Sequence, residues 1–261
     1  MSSLHALPGT DHVVAGVRLH VVSYGDGPGV PLLLLHGAPA TSYVWSNVQR
    51  ALGHRHASHA ADLLGCGASE APVSGRYDAA AQAEKMLGLL DTLAISRCAV
   101  IAHDIGGGVA AHMAALAPER IAALILTGTP LHQDAWPQPS LAQLPRRVSS
   151  RVAELLRRAP ESGRSAGLAR LTRSQDPSAV ESAYRILRAA PLPALVVWGN
   201  DDTVLSAAYG RRIAADLSAT FVPVMDVGHD LPAARPERLA EETEAWLADL
   251  PAQQPVASGQ D

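Results

Sequence analysis

One acidic residue stands where the sequence pattern places a nucleophile. The apolar run Cys98–Ala102 is followed by His103, Asp104 and Ile105, and then by three glycines that open an alanine-rich stretch. The small residues around Asp104 indicate a tight strand-to-helix turn, which lifts the central side chain above the edge of a sheet. The amino end of the following helix stabilises a negative charge there. The alternative is that Asp104 only caps this helix.

A carboxylate at this turn implies a different chemistry from a hydroxyl or a thiol. It is ionised at neutral pH and attacks without a base to remove its proton. Attack on a carboxylic ester gains little, because it gives a reactive anhydride. Attack on an sp³ carbon gives an alkyl ester of Asp104, and epoxides and alkyl halides are good electrophiles of that kind. The residues therefore predict a hydrolase that acts on small or medium apolar molecules.

The turn resembles that of the α/β-hydrolases, and within them the aspartate-nucleophile branch of epoxide hydrolases and haloalkane dehalogenases. The resemblance covers about residues 12–248. His36-Gly37-Ala38-Pro39 is similar to the family's His-Gly-x-Pro turn, whose proline is a candidate for a cis peptide bond. For this chain the resemblance implies an oxyanion hole made of the amides of Ala38 and Ile105.

The same resemblance implies the other two catalytic groups. Gly199 and the acid three residues later are similar to the family's Gly-x-x-Asp motif, which makes Asp202 the acid of the triad and Asp201 the neighbouring alternative. His229 is similar to the histidine that precedes the family's last helix, and it would activate water. Nucleophile, acid and histidine follow one another in the order typical of this fold.

The resemblance leaves two reactions open, which differ in how the leaving group is supported. In epoxide hydrolases two tyrosines of the cap protonate the leaving alkoxide, and this cap offers only Tyr184, with His132, Trp136 or Tyr43 as candidate second donors. In dehalogenases a Trp after the nucleophile and often an Asn in the turn hold the halide. Here both positions lack a side-chain donor, although Trp136 resembles a cap Trp of dehalogenases. Epoxide hydrolysis is the first expectation and carbon–halogen hydrolysis the second.

Two further hypotheses belong to other classes. In one, Asp104 is a base for a cyclisation or elimination on a natural product; in the other, the chain is a catalytically silent binder, which would need neither His229 nor Asp202. The arginine-rich segment 146–188 is either a solvated helical face or a basic lid over an anionic substrate. The candidate substrate-binding residues are His36, Tyr43, His103, Trp136 and Tyr184.

The alternation of apolar runs and helical stretches predicts an α/β-hydrolase fold, a mostly parallel eight-stranded sheet flanked by helices with a short helical cap. We expect a discontinuous core domain at residues 12–131 and 191–250. The proline-rich change of pattern over residues 132–190 predicts the cap. Residues 1–11 and 251–261 are expected to be flexible tails.

Composition narrows the function classes further. The net charge of −4 argues against a nucleic-acid partner. No apolar run is long enough to span a bilayer and no signal pattern opens the chain, so a cytoplasmic protein without a membrane partner is expected. No metal-type cysteine spacing, dinucleotide loop or phosphate loop occurs, so no cofactor or metal is expected. The expected partner is a small-molecule substrate, and a homodimer is left open.

Overall fold

The computed structural model describes residues 7–136, 164–190 and 192–250. Residues 137–163, the middle of the predicted cap, lie outside this part of the chain, as do residues 1–6 and the whole predicted tail 251–261. Within the described part, no helix is both long and apolar enough to cross a membrane.

An eight-stranded sheet forms the centre of the molecule, which confirms the predicted fold class. The strands are β1 (Thr10–Val14), β2 (Val17–Pro28), β3 (Leu32–Leu35), β4 (His56–Ala61), β5 (Cys98–His103), β6 (Ile121–Thr127), β7 (Ala194–Gly199) and β8 (Thr220–Val224). They lie in the order β1-β2-β4-β3-β5-β6-β7-β8. β2 runs antiparallel to both of its neighbours, and the other pairs are parallel. The carboxyl ends of the parallel strands therefore meet at one edge of the sheet, where ligands bind in open α/β folds.

Helices cover both faces of this sheet. The described α-helices are α1 (Ser46–Leu52), α2 (Ala79–Thr92), α3 (Ile105–Leu116), α4 (Arg164–Arg173), α5 (Pro177–Ala189), α6 (Ala207–Asp216), α7 (Leu231–Ala234) and α8 (Pro236–Ala248). The sequence predicts one final helix from Pro232 to Leu250, whereas the structure has α7 and α8 with Arg235 between them. Pro236 accounts for the break, because a proline lacks the N–H that a helix interior needs and disfavours helical backbone in the residue before it.

Two apolar clusters fill the space between the sheet and its helices. Side chains of α2, α3, α5 and α6 pack on one face, and those of α1, α7 and α8 pack on the other. Every residue of β5 and β6 is buried, because both faces of these central strands are covered. The strand that precedes Asp104 is thus covered on both faces.

The helix α5 lies in the stretch that the sequence assigns to the cap, and it packs on α3. Its buried residues Val180, Ala183, Tyr184 and Leu187 belong to the same apolar cluster as α3. In the structure this helix therefore packs with α3 on one face of the sheet. The division of the whole chain into core and cap stays a prediction.

Candidate active site

Asp104 occupies a strained turn between β5 and α3. Its φ is +51° and its ψ is −126°, outside the regions that L-residues ordinarily adopt. Its amide donates to the carbonyl of Thr127 at 3.3 Å, which ties the turn to the end of β6. The first turn of α3 packs closely on its surroundings: a Cβ at Gly107 would lie 1.6 Å from Oγ1 of Thr129. Strain of this kind, of order 1–3 kcal/mol, is typical of functional sites.

The carboxylate of Asp104 is held by the turn that follows β3. The amide of Ala38 donates to Oδ2 of Asp104 at 2.9 Å, and the Ala38–Pro39 peptide bond is cis. A Cβ at Gly37 would lie 2.6 Å from the same oxygen, so only glycine lets the turn come this close. Ile105 is the first residue of α3, and its amide has no acceptor within the helix. The structure thus shows one of the two predicted oxyanion-hole amides, that of Ala38, bound to the carboxylate.

His229 and Asp202 form a hydrogen-bonded pair at the same edge of the sheet. Nδ1 of His229 lies 2.9 Å from Oδ2 of Asp202. Because a carboxylate only accepts, this nitrogen carries the proton, and Nε2 is left with the lone pair of a base. Oδ1 of Asp202 accepts the amides of Val204 and Leu205 at 2.8 and 2.9 Å, which fixes the carboxylate. Asp201, the alternative acid, is exposed.

The charges of these groups act on one another. Burial lowers the pKa of His229, but the hydrogen bond that it donates to Asp202 and the negative charge of Asp104 together raise it by more, so that the pKa lies above its ordinary value. The ring of His229 also packs against that of His103, the residue before Asp104, with the ring centroids 4.9 Å apart. The structure therefore brings Asp104, Asp202 and His229 together.

His36, a predicted substrate-binding residue, has partners within the protein for both of its ring nitrogens. It is fully buried, and Nε2 accepts the amide of Leu63 at 3.0 Å while Nδ1 donates to the carbonyl of Gly37 at 2.8 Å. Both ring nitrogens are thus used to join the turn after β3 to the loop after β4. Burial lowers the pKa of this imidazole, so the ring stays neutral. Its role is structural.

The hydroxyl of Tyr184, which the sequence suggests as a proton donor to the substrate, is bound within the protein. Its side chain is fully buried, and its hydroxyl donates to Oδ2 of Asp216 at 3.3 Å. Nε2 of His132 contacts the same carboxylate at 2.8 Å, and Nδ1 of His132 lies 3.0 Å from the hydroxyl of Tyr209. The network joins α5 and α6 on the flank of the sheet. Tyr184, the predicted acid, and His132, one candidate for the second donor, thus make their hydrogen bonds within this network.

The other three predicted side chains differ in their placement. His103 is only 6% exposed, and its ring packs against that of His229. Tyr43 is partly buried in the 3₁₀ turn Ser42–Trp45, which follows the oxyanion turn and packs against α7. Trp136 is partly buried against the apolar cluster of α3, and its Nε1 has no hydrogen-bond partner in the described part of the chain.

Sequence reasoning missed two residues that shape this site. Gly37 permits the contact between Ala38 and Asp104, and Gly128, with a φ of +55°, lies beside the rings of His103 and His229. The signal for Gly37 was its place within the His-Gly-x-Pro turn. Gly128 has the weaker signal of a glycine directly after a buried strand.

A family model for the alpha/beta hydrolase fold matches residues 30–178, which is more than half of the chain. The chain belongs to the alpha/beta hydrolase fold family. Several relatives are named hydrolases, and this chain is an alpha/beta hydrolase enzyme. The expected resemblance is thereby confirmed at the level of the superfamily.

Individual relatives of this alpha/beta hydrolase differ in the reaction that their names give. It is 29% identical over 223 residues to the 2-hydroxymuconate semialdehyde hydrolase of Pseudomonas sp. (strain CF600), covering 76% of this chain and 78% of that one. It is 40% identical over 102 residues to the soluble epoxide hydrolase of Corynebacterium sp. (strain C12), covering 39% and 35%. The structure of haloalkane dehalogenase DbeA from Bradyrhizobium elkani USDA94 matches with a TM-score of 0.78 at 22% identity, covering 92% and 97%. That last likeness shows the shared fold.

Proposed function

We propose that this enzyme hydrolyses an electrophilic sp³ carbon through a covalent alkyl ester of Asp104, with epoxides as the first substrate class. One observation carries the proposal: a carboxylate occupies the strained turn, with one oxygen bound by the amide of Ala38. That amide holds Oδ2, so the other oxygen, Oδ1, is the nucleophile. The partial match to a soluble epoxide hydrolase supports the substrate class.

In the first step, Oδ1 of Asp104 forms a bond to a carbon of the epoxide. The ring C–O bond breaks, its electron pair goes to the oxygen, and the alkoxide takes up a proton. The product is a hydroxyalkyl ester of the enzyme. No base is needed, because the nucleophile is already an anion.

In the second step, Nε2 of His229 takes a proton from water, and the hydroxide adds to the carbonyl carbon of the ester. The negative charge that develops on Oδ2 is stabilised by the amides of Ala38 and Ile105. Asp202 holds the ring by its Nδ1–H and stabilises the imidazolium. Collapse releases the diol and regenerates the Asp104 carboxylate, and the proton on His229 leaves with the alcohol or to water.

Among the tyrosines, Tyr43 has the position best suited to give a proton to the leaving alkoxide. The chain has five tyrosines, and four are placed elsewhere: Tyr24 packs on Gly53, Tyr77 donates to the carbonyl of Pro72, and Tyr184 and Tyr209 belong to the network on the flank of the sheet. Tyr43 stands five residues after Ala38, in a turn that packs against the helix following His229. On the ground of this position we propose Tyr43 as the group that protonates the leaving oxygen.

Carbon–halogen hydrolysis is the second candidate, and Trp136 is the observation that favours it. Its indole N–H is buried and makes no hydrogen bond with the described residues. An indole N–H is a donor that a halide accepts. The side chains of Ala38 and Ile105 supply no second donor, which keeps this candidate behind the first.

The reaction named for the semialdehyde hydrolase relative fits this site less well. Attack of a carboxylate on the carbonyl carbon of a ketone or an aldehyde gives a tetrahedral adduct, and this adduct expels the carboxylate again because the carboxylate is a far better leaving group than a carbanion. The Asp104 turn therefore favours an sp³ electrophile over a ketone or an aldehyde.

Replacement of His229 tests the proposal, because the ester forms without that base and is hydrolysed only with it. A His229→Gln variant incubated with an epoxide should gain the full mass of the epoxide, as measured by intact-protein mass spectrometry. A haloalkane would add its mass less that of the hydrogen halide, which separates the two substrate classes. The double variant Asp104→Asn/His229→Gln should gain no mass. A wild-type enzyme that turns over epoxide while His229→Gln gains none would contradict the covalent route.

A further inference from the structure

His103 is a buried titratable residue that the proposed reaction does not use. It is the last residue of β5, next to Asp104, and only 6% of it is exposed. Its Nε2 lies 3.0 Å from the backbone carbonyl of His229. Residues 103 and 229 are 126 positions apart, so this bond connects the end of a central strand to the loop that carries the base.

The hydrogen bond determines the tautomer of His103. A carbonyl oxygen only accepts, so Nε2 carries the proton. Nδ1 is then the lone-pair nitrogen, and it is buried without a hydrogen-bond partner among the described residues. Burial, with the neighbouring charge of His229 adding to it, lowers the pKa of His103 to about 4. The ring is therefore a neutral donor over the working range of His229.

The two imidazoles are packed against each other as well as bonded. Their ring centroids are 4.9 Å apart with an angle of 49° between the planes. Gly128 lies beside both rings: a Cβ there would be 3.0 Å from Cε1 of His229 and 3.2 Å from Cδ2 of His103. A side chain at this position would push into the pair. The carbonyl and the ring of His229 are thus both in contact with His103.

We propose that His103 is a positioning residue for the base: it binds the carbonyl of His229 and presses a neutral ring against the imidazole, so that Nε2 of His229 stays aimed at the ester of Asp104. The inference rests on the proposed function for the step that it affects. Its geometry stands on its own, because the bond and the ring contact exist in the free enzyme. Three carboxylates and one imidazole act on the charge of His229: Asp104, Asp202, Asp230 and His103.

Two substitutions separate positioning from a general structural effect. His103→Phe keeps a ring of similar size and removes the donor. His103→Gln keeps an amide N–H near the position of Nε2 and removes the ring. In single-turnover experiments with an epoxide, His103→Phe should slow ester hydrolysis 10- to 100-fold, the scale of a small misplacement of a catalytic group. Ester formation, which does not use His229, should be unchanged, and His103→Gln should recover most of the lost rate.

A proton NMR signal gives a second measurement that needs no substrate. The Nδ1–H of His229 bonded to Asp202 should give a downfield resonance, assigned by its loss in His229→Gln. In His103→Phe this resonance should broaden through faster exchange with water, and in His103→Gln it should persist. Absence of an ester with every electrophile would count against the proposed function and leave this test standing.

Two results would overturn the assignment of His103. One is a His103→Phe enzyme whose hydrolysis rate and downfield resonance equal those of the wild type. The other is an equal loss in both chemical steps, which would place the effect on the Asp104 turn instead of on His229.

Discussion

Asp104 and His229 act in successive steps, and only the second depends on a titration near neutral pH. His229 must be neutral to take a proton from water, and its pKa lies above the ordinary value of 6.5. This pKa belongs to the free enzyme; the ester removes the charge of Asp104, whereas the hydrogen bond to Asp202 remains and still raises the pKa. Ester hydrolysis should therefore rise with pH as His229 loses its proton, while ester formation stays flat over the same range. Single-turnover rates from pH 5.5 to 9 measure both. A hydrolysis rate that does not rise with pH would contradict the account.

Asp202 sets both the orientation and the charge of the base. Asp202→Asn removes the negative charge that raises the pKa of His229, and an amide donor in its place favours the wrong tautomer. Ester hydrolysis should fall on the order of 10³- to 10⁴-fold, with ester formation retained. Asp201→Asn, on the exposed neighbour, is the matched control and should leave both rates unchanged.

The proposal gives the hydroxyls of Tyr43 and Tyr184 different roles, with Tyr43 in the reaction and Tyr184 in a buried hydrogen bond to Asp216. Tyr43→Phe should slow epoxide opening about 100-fold, the lower range for loss of a general acid. Tyr184→Phe should leave turnover unchanged and lower the free energy of unfolding by about 1 kcal/mol, since it removes one buried hydrogen bond. Rates of ester formation and urea unfolding test the pair. A Tyr184→Phe enzyme with slow opening would restore Tyr184 to the reaction.

Residues within motifs were predictable, and residues that act through tertiary contacts were not. Asp104 stands in a glycine-rich turn whose geometry its neighbours dictate, and the Gly-x-x-Asp spacing placed an acid beside His229. Tyr184 had a plausible position along the chain, but only the packing of α5 on α3 shows that its hydroxyl points to Asp216. The bond from His103 joins residues 126 positions apart, and no local pattern encodes it.

At the scale of elements, the glycines of α3 decide how closely this helix lies on the sheet edge. A methyl group at Gly107 would collide with Oγ1 of Thr129, whereas at Gly108 its nearest neighbour would be Cγ2 of Val180 at 3.1 Å. Gly107→Ala should cost about 1–3 kcal/mol in the free energy of unfolding. Gly108→Ala gains up to about 1 kcal/mol of helix propensity against a mild clash and should be nearly neutral. Equal costs at both positions would contradict this packing.

Most elements were predictable because the apolar pattern of a strand or helix and the turn residues that end it are both local features of the sequence. Continuous apolar runs mark strands that are buried on both faces, and β3, β6 and β7 are such runs, buried at every residue. The final helix was predicted as one piece. A proline at position 236 is compatible with the start of a new helix, and the choice between a kink and a break depends on packing.

For the whole molecule, buried neutral imidazoles make stability depend on pH. Unfolded His103 has an ordinary pKa near 6.5, and the folded value is about 4, so the unfolded state binds more protons between these limits. The free energy of unfolding is therefore highest above pH 6.5 as far as His103 is concerned, and it falls as the pH falls. At pH 4 the loss from His103 is about 3 kcal/mol. His36, whose pKa is also lowered by burial, adds to the loss. His229, with a raised pKa, acts in the opposite direction above pH 6.5.

Urea unfolding at pH 7 and pH 5 measures this effect, with His103→Gln as the matched variant. The wild type should lose more free energy of unfolding between the two values than the variant does, because the variant has no imidazole to protonate at that position. Identical losses in the two proteins would mean that His103 does not stay neutral in the folded state.

The overall architecture followed from the sequence because the alternation of strand and helix leaves few topologies open. The strand order places the ends of β3, β5, β7 and β8 at one edge, and the ordered motifs come together there. The substrate class did not follow as directly, because it depends on donors that approach the site from elements distant in the chain.

The covalent alkyl ester of Asp104 is the central claim, and isotope transfer tests it most directly. A single turnover of wild-type enzyme with an epoxide in ¹⁸O-water, followed by mass spectrometry of the peptide that contains Asp104, measures where the oxygen of water goes. Water attacks the carbonyl carbon of the ester, so the account predicts ¹⁸O in the Asp104 carboxylate and none in the first diol. Turnover with ¹⁸O in the diol and none in that peptide would contradict it, because water would then have attacked the substrate directly.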